Sequence, residues 1–248
     1  MSGTVGKALK VLELLSTYDE PVRLADLSRV LGMNKSTTYR LLETMSKLGY
    51  VRQSDGDSRY MLTARMWAIG VRAFHRFDIR VWARPYLEEL LGETQETAVL
   101  AVLEGNEVVI VEKRDSDQAV QALSPLGSRS PLHCSSLGKG LLMGDTDRLL
   151  KLVRRPLKAF TPQTITSIVQ LRAEVEDARR RGVAVAFDEY LIGVSGASAP
   201  VLGVDGALLG AIGVSLPTIR AEGKHLERAK ALVRERSAAL SCALGYVS

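Results

Sequence analysis

The chain has 248 residues, 46% of them hydrophobic, with 33 Lys and Arg against 28 Asp and Glu for a formal charge of +5. That apolar content excludes a disordered chain, and the length suits two domains better than one. No apolar run approaches the roughly 20 residues of a membrane span, the N-terminus lacks the apolar core of a secretory signal, and Cys134 and Cys242 form no motif, so a cytoplasmic location without membrane contact is expected.

Apolar residues at Val5, Ala8, Leu9, Leu12 and Leu15 predict a helix over residues 4–17. A second helix runs over residues 24–31 and closes at Gly32, a residue suited to a helix C-cap. A third opens at Asn34-Lys35-Ser36-Thr37, carries an apolar stripe at Leu41, Leu42, Met45 and Leu48, and stops at Gly49. Residues 50–53 and 59–62 then flank Ser54-Asp55-Gly56-Asp57-Ser58 as a hairpin with turn chemistry. Helix, tight turn, helix and two-stranded wing make a DNA-binding head over residues 1–62.

The charge placement supports that reading better than the total does. Between residues 23 and 52, Arg23, Arg29, Lys35, Arg40, Lys47 and Arg52 oppose only Asp26 and Glu43. Asn34, Lys35, Ser36, Thr37, Thr38, Tyr39 and Arg40 are the candidate DNA contacts at the start of the third helix. Ser36 and Thr37 suit phosphates, which the open backbone N–H groups of a helix start also attract. Arg40 suits a base edge or a phosphate, and Arg52 and Arg59 in the wing are within reach of the neighbouring groove or backbone.

Residues 63–78 read as a linker helix, apolar at Met66, Trp67, Ile69 and Phe74 and basic at Arg65, Arg72 and Arg76; the apolar side is expected to pair with a second subunit. Beyond it the pattern is that of an α+β domain over residues 79–248. Helices are expected over 79–91, 135–143, 167–181 and 224–243, and strands over 97–103, 107–113, 119–123, 183–187, 197–202 and 207–216. Hairpin turns at 104–106 and at Asp205-Gly206 indicate an antiparallel sheet.

Three segments, in order along nearly the whole chain, resemble the isocitrate-lyase-regulator (IclR) family of bacterial transcription factors: residues 34–42, residues 127–140, and residues 181–201 with Asp188-Glu189, Gly193 and Ala199-Pro200-Val201. The resemblance implies a winged helix-turn-helix head, a linker helix and a C-terminal effector-binding domain of GAF-like fold. It implies homodimers, often paired into tetramers, on a palindromic double-stranded DNA operator. It also places an effector pocket at Ser136, Leu137, Ala186, Glu189, Val194, Gly196, Gly213 and Ser215. Ala186, Gly196 and Gly213 are trimmed relative to members that bind small oxoacids, so the expected effector is an aromatic or longer-chain carboxylate. Close strand packing is the competing explanation of the two glycines.

An enzyme is the weaker reading. Gly138-Lys139-Gly140 lacks the preceding Gly and the following Ser or Thr of a phosphate loop, and Gly193-Val194-Ser195-Gly196-Ala197 lacks the last Gly of a nucleophile elbow. His133-Cys134 has no metal-ligand spacing, His75 and His225 have no sequence neighbours of that kind, and no metal or cofactor is expected. A purely architectural DNA binder is the other alternative, although about 170 residues beyond the head exceed what gripping DNA requires.

Overall fold

A computed structural model describes residues 3–54, 56–66, 68–69 and 78–247, and the chain divides into two compact units, residues 1–77 and 78–248. The first unit contains helices α1 (Thr4–Ser16), α2 (Leu24–Val30) and α3 (Lys35–Lys47), and strands β1 (Val22–Arg23), β2 (Val51–Gln53) and β3 (Arg59–Leu62). The strands form one antiparallel sheet in the order β1-β3-β2, with Val51 opposite Leu62 and Val22 opposite Tyr60. The sequence pattern shows the β2–β3 wing. It misses β1, since two residues are too few for an alternation to register.

Both turns of the head are set by glycine. Gly32 (φ +61) and Gly49 (φ +78) take the left-handed conformation after α2 and α3. Each lets the chain fold back so that the next residue bonds the last helical turn, Met33 N–H to the Ser28 carbonyl and Tyr50 N–H to the Met45 carbonyl. The core below is Val11, Leu15, Leu27, Leu41, Leu42, Met45, Val51 and Tyr60. Two expectations shift here. Val5 and Leu9 are exposed, and Val11 with Leu15 forms the buried side of α1. Leu48 is exposed at the C-cap of α3, and Thr38 takes the fourth place in that helix's buried stripe.

The linker helix expected over 63–78 falls largely on residues 67 and 70–77, so Trp67, Arg72, Phe74 and Arg76 lie outside the described residues. Residues 64–66 and 68–69 are helical. Arg65 stacks over the Tyr50 ring at 5.0 Å, and the Thr63 hydroxyl donates to the Gly49 carbonyl at 2.6 Å.

The second unit is built on a six-stranded antiparallel sheet. Its strands are β4 (Thr97–Glu104), β5 (Glu107–Arg114), β6 (Arg129–Pro131), β7 (Ala184–Phe187), β8 (Val194–Leu202) and β9 (Leu208–Pro217), in the order β6-β5-β4-β9-β8-β7. The strand expected over 119–123 is absent; that stretch is irregular, and β6 forms one edge of the sheet. Asp205 (φ +56) and Gly206 (φ +73) form the expected tight turn, closed by Ala207 N–H on the Val204 carbonyl.

Helices α4 (Ile79–Thr94) and α8 (Gly223–Ala243) pack together on one face of the sheet. Helices α5 (Ser136–Gly144), α6 (Thr146–Leu152) and α7 (Ile168–Arg181) cover the other, where Val99, Ala101, Leu141, Leu142, Leu149, Leu171 and Val175 make the core. Side chains of this size contribute about 1.5–3 kcal/mol each on burial. Helix α6 is the element that the polar composition after Met143 concealed.

Helix α5 lies close on the sheet. A Cβ at Gly140 would collide with the Ser198 hydroxyl, one at Gly144 with Leu208, and one at Gly138 with the Leu132 carbonyl. The Ser198 hydroxyl uses the close approach to donate to the Ser136 carbonyl at 2.6 Å. Gly140→Ala is expected to lower the unfolding free energy by about 1–3 kcal/mol in a urea titration, because the added methyl has nowhere to go without lifting the helix. An unchanged midpoint would show that the helix retreats at no cost.

Candidate functional site

The head presents one polar helix face. Lys35, Ser36, Tyr39 and Arg40 are exposed on α3, and Thr37 is half-buried beside them. Asn34 is the N-cap: its Oδ1 accepts the Thr37 N–H at 2.8 Å and the Ser36 hydroxyl at 3.1 Å, which fixes where the helix starts. Arg52 is exposed on β2, and Arg59 on β3 is paired with Asp57 at 2.8 Å. Thr38 does not belong with this group. It is fully buried, its hydroxyl donating to the Asn34 carbonyl at 3.2 Å, so it cannot touch DNA while the head is folded. It lies one residue from exposed neighbours because successive helical positions turn by about 100°.

In the second unit the sheet brings together residues far apart in sequence. Ala186 on β7 pairs with Gly196 on β8, and Gly196 pairs with Ser215 on β9, so the three form one cross-strand row. Above this row lies the N-terminus of α5, and around it a cavity of ≈ 300 Å³. Ser136, Leu137, Ala186, Glu189, Val194, Gly196 and Ser215 all line it. Gly213 does not. It belongs to the next row along the strands, opposite Ser198, where a Cβ would strike the Ala197 carbonyl. For Gly213 the close-packing explanation holds. At Gly196 a Cβ would come within 2.5 Å of the Ser136 hydroxyl and 2.9 Å of the Val214 carbonyl, so this glycine also serves close approach while facing the cavity. Two of the three trimmed positions therefore serve close packing, and of these only Gly213 lies away from the cavity.

The α5 N-terminus opens on the cavity. Ser135 caps it, accepting the Gly138 N–H at 3.1 Å, and its carbonyl takes the Lys139 N–H. The Ser136 and Leu137 N–H groups, first in the helix, have no protein acceptor among the described residues and border the cavity.

Beneath lies a group that motif reasoning missed. Lys139 is 1% exposed, and its Nζ donates to Glu189 Oε1 at 2.6 Å and to the Val185 carbonyl at 3.2 Å. The Lys139 ammonium is thus committed to Glu189 and is not the phosphate ligand of a Gly-Lys loop. Burial pushes the Glu189 carboxyl above its ordinary range, against the opposing pull of the Lys139 charge. The backbone carbonyl of Glu189 is held in turn by the Thr164 hydroxyl at 2.6 Å. Asp188, at φ +53, accepts the Gly193 N–H at 2.7 Å and closes the loop carrying Glu189 and Tyr190.

Elsewhere, Glu96 is fully buried and bridges Arg220 (2.6 and 2.7 Å) and His225 (3.0 Å), giving His225 the partner that sequence spacing did not reveal. Among the described residues, no three His, Cys, Asp or Glu side chains gather as a metal site, and no helix is long and apolar enough to cross a membrane.

Residues 4–55 match the family model for the IclR helix-turn-helix domain, and residues 71–242 match that for the bacterial transcriptional regulator IclR C-terminal domain. The chain belongs to the IclR family. It is 30% identical to the HTH-type transcriptional regulator XynR of Escherichia coli over 98% of this chain and 97% of XynR. Among solved structures it is similar to the Agobacterium tumefaciens repressor BlcR, with a TM-score of 0.80 and 25% identity over 99% of this chain and 98% of that one. It is also similar to an IclR homologue from Microbacterium hydrocarbonoxydans complexed with 4-hydroxybenzoate, with a TM-score of 0.58 and 25% identity over 98% and 99% of the two chains. IclR relatives of this kind are transcriptional regulators with a helix-turn-helix head, and the architecture described above is theirs.

Two measurements check the site. Lys139→Ala should cost about 3–5 kcal/mol of stability, because it strands the Glu189 charge, whereas Lys139→Met combined with Glu189→Leu should recover most of that loss. Equal losses in both variants would mean that the pair is valued for something other than charge compensation. Second, Cys134 is buried in the cavity wall with its thiol pushed up to about 12, chiefly by burial and then by the Glu189 charge, while Cys242 is exposed. Native protein at pH 8 should therefore react with a maleimide at one thiol, and Cys242→Ser should abolish that labelling.

Proposed function

We propose that this IclR-family regulator binds a palindromic operator as a dimer or dimer of dimers in the cytoplasm and releases or tightens it when a small carboxylate occupies the cavity of the second unit. The observation that carries the reading is the convergence of Ser136, Leu137, Glu189 and Ser215 on one cavity at the open N-terminus of α5. A carboxylate at that place meets two free backbone N–H groups and the positive end of the helix dipole. The relative that holds 4-hydroxybenzoate, itself a carboxylate, supports the same class of ligand.

On the DNA side, Lys35, Ser36, Thr37, Tyr39 and Arg40 are the contacts, with Asn34 defining the helix start and Arg52 and Arg59 flanking from the wing. Pairing of heads supplies specificity that one head lacks, with half-sites about one helical turn apart. The effector acts by binding two arrangements of the subunits unequally, which is what coupling requires. The linker over residues 63–78 is the segment through which that difference reaches the heads.

The test is a titration of the protein with DNA from upstream of its own gene against scrambled DNA, at fixed near-physiological salt, with and without carboxylates. Preference for the upstream DNA, shifted by at least one acid, supports the reading. Binding that no small molecule alters favours the architectural alternative. Within that assay, Arg40→Ala should weaken operator binding by about 1–3 kcal/mol and relax sequence choice if Arg40 reads a base. A uniform loss on both DNAs assigns it to phosphate.

A further inference from the structure

The wall of the α5 cavity is rich in one chemistry. Of its nineteen lining residues seven are serines, and Tyr190 supplies the single aromatic ring. The serines come from every side: Ser124 and Ser128 from the segment before β6, Ser130 from β6, Ser135 and Ser136 from the start of α5, Ser195 from β8 and Ser215 from β9. Some are already occupied. Ser135 caps α5, and Ser195 shares a hydrogen bond with Thr218 at 2.8 Å.

Four are not. The hydroxyls of Ser124, Ser128, Ser136 and Ser215 have no hydrogen-bond partner among the described residues, and none of them counts among the sealed, unsatisfied polar atoms of the core. Ser124 and Ser136 are 7% and 8% exposed, so little besides the cavity is open to them. A hydroxyl buried in this way needs a partner, and a ligand that brings none leaves it unsatisfied. The remaining wall carries the aliphatic side chains of Ile110, Leu123, Leu137, Leu191 and Val194 and two charged ones, Arg129, paired with Glu104, and Glu189, paired with Lys139; with Tyr190 as its single ring it offers no aromatic pair to sandwich a ligand.

We infer that the effector is an aliphatic acid carrying several hydroxyl groups along its chain, a polyhydroxy acid of the sugar-acid type. The inference rests on the proposed carboxylate effector and specifies the rest of the molecule. Its carboxylate lies at the Ser136 and Leu137 N–H groups. Its hydroxyls meet Ser124 and Ser128 on one side and Ser136 and Ser215 on the other, while its C–H edges lie against the leucines. An unsubstituted aromatic acid would desolvate the same four hydroxyls and return nothing. Of the aromatic and longer-chain carboxylates expected from the trimmed positions, this selects the longer-chain class.

The experiment compares full-length protein with six-carbon sugar acids (gluconate, galactonate and mannonate), with hexanoate and benzoate as acids lacking hydroxyls, and with sorbitol as a polyol lacking the acid. Binding is read by calorimetry and by the shift in melting temperature. At least one sugar acid is expected to bind about 100-fold or more tighter than hexanoate or benzoate, since a site built to pair hydroxyls discriminates strongly against analogues without them. Ser215→Ala and Ser124→Ala are each expected to weaken that sugar acid about tenfold and to leave hexanoate where it was; two variants from separate segments guard against one misfolding. Hexanoate or benzoate binding as tightly as every sugar acid would overturn the inference and leave the carboxylate reading intact. Sorbitol matching the best sugar acid would uphold the hydroxyl wall and overturn the carboxylate reading. No binding by any of the six would overturn both.

Discussion

Helix α5 lies close on the sheet because glycine stands at three places where its underside meets another surface. Gly140 rests over Ser198 and Gly144 over Leu208, while Gly138 clears the Leu132 carbonyl. At that depth the Ser198 hydroxyl reaches the Ser136 carbonyl, and Lys139 is driven into an interior that tolerates a charge only when it is paired. Glu189 supplies the pair at 2.6 Å. The loop carrying Glu189 and Tyr190 is thereby held against the start of the helix, and the cavity is the space that remains between them. Helix depth, ion pair and cavity are one arrangement, and a change in any of them moves the other two.

The buried pair is costly as a source of stability, since two apolar side chains of similar volume would fill the space with less desolvation. What it contributes is position. An ammonium with one donor on Glu189 and another on the Val185 carbonyl ties α5 to β7 and to the loop beyond it, across fifty residues of sequence. Leucine in both places would pack but would not specify which rotation of the loop faces the cavity. The same economy governs the head, where Asn34 spends its side-chain oxygen on the Thr37 N–H and the Ser36 hydroxyl and so sets the first residue of α3. In both units a polar contact near a helix start fixes the local geometry of that helix.

Much of this was legible in the chain. The two helices and wing of the head carry turn residues at the right offsets, and the hairpins of the second unit are marked by Gly105-Asn106 and Asp205-Gly206. Short elements were not: β1 and β6 have two and three residues, too few for a period, and α6 lies in a polar stretch whose apolar members, Leu149 and Leu150, are buried by neighbours distant in sequence. At the site, the family resemblance brought seven of the eight expected residues to one cavity. It could not separate Gly196, which faces that cavity, from Gly213, which lies one row away beneath α5.

Sequence by itself determined the local and periodic features: where the longer helices of the head and the second unit run, where glycine turns the chain, that the head is basic between residues 23 and 52, and that the chain resembles the IclR family. These depend on backbone preference, hydrophobic period and motif spacing, all of which are written in neighbouring residues. Tertiary structure alone decided that Thr38 faces inward, that Lys139 is spent on Glu189, that His225 meets Glu96, and that unpartnered serines from three separate segments line one cavity. Those facts depend on strand register and on helix depth, which are set by contacts between residues tens to more than a hundred positions apart.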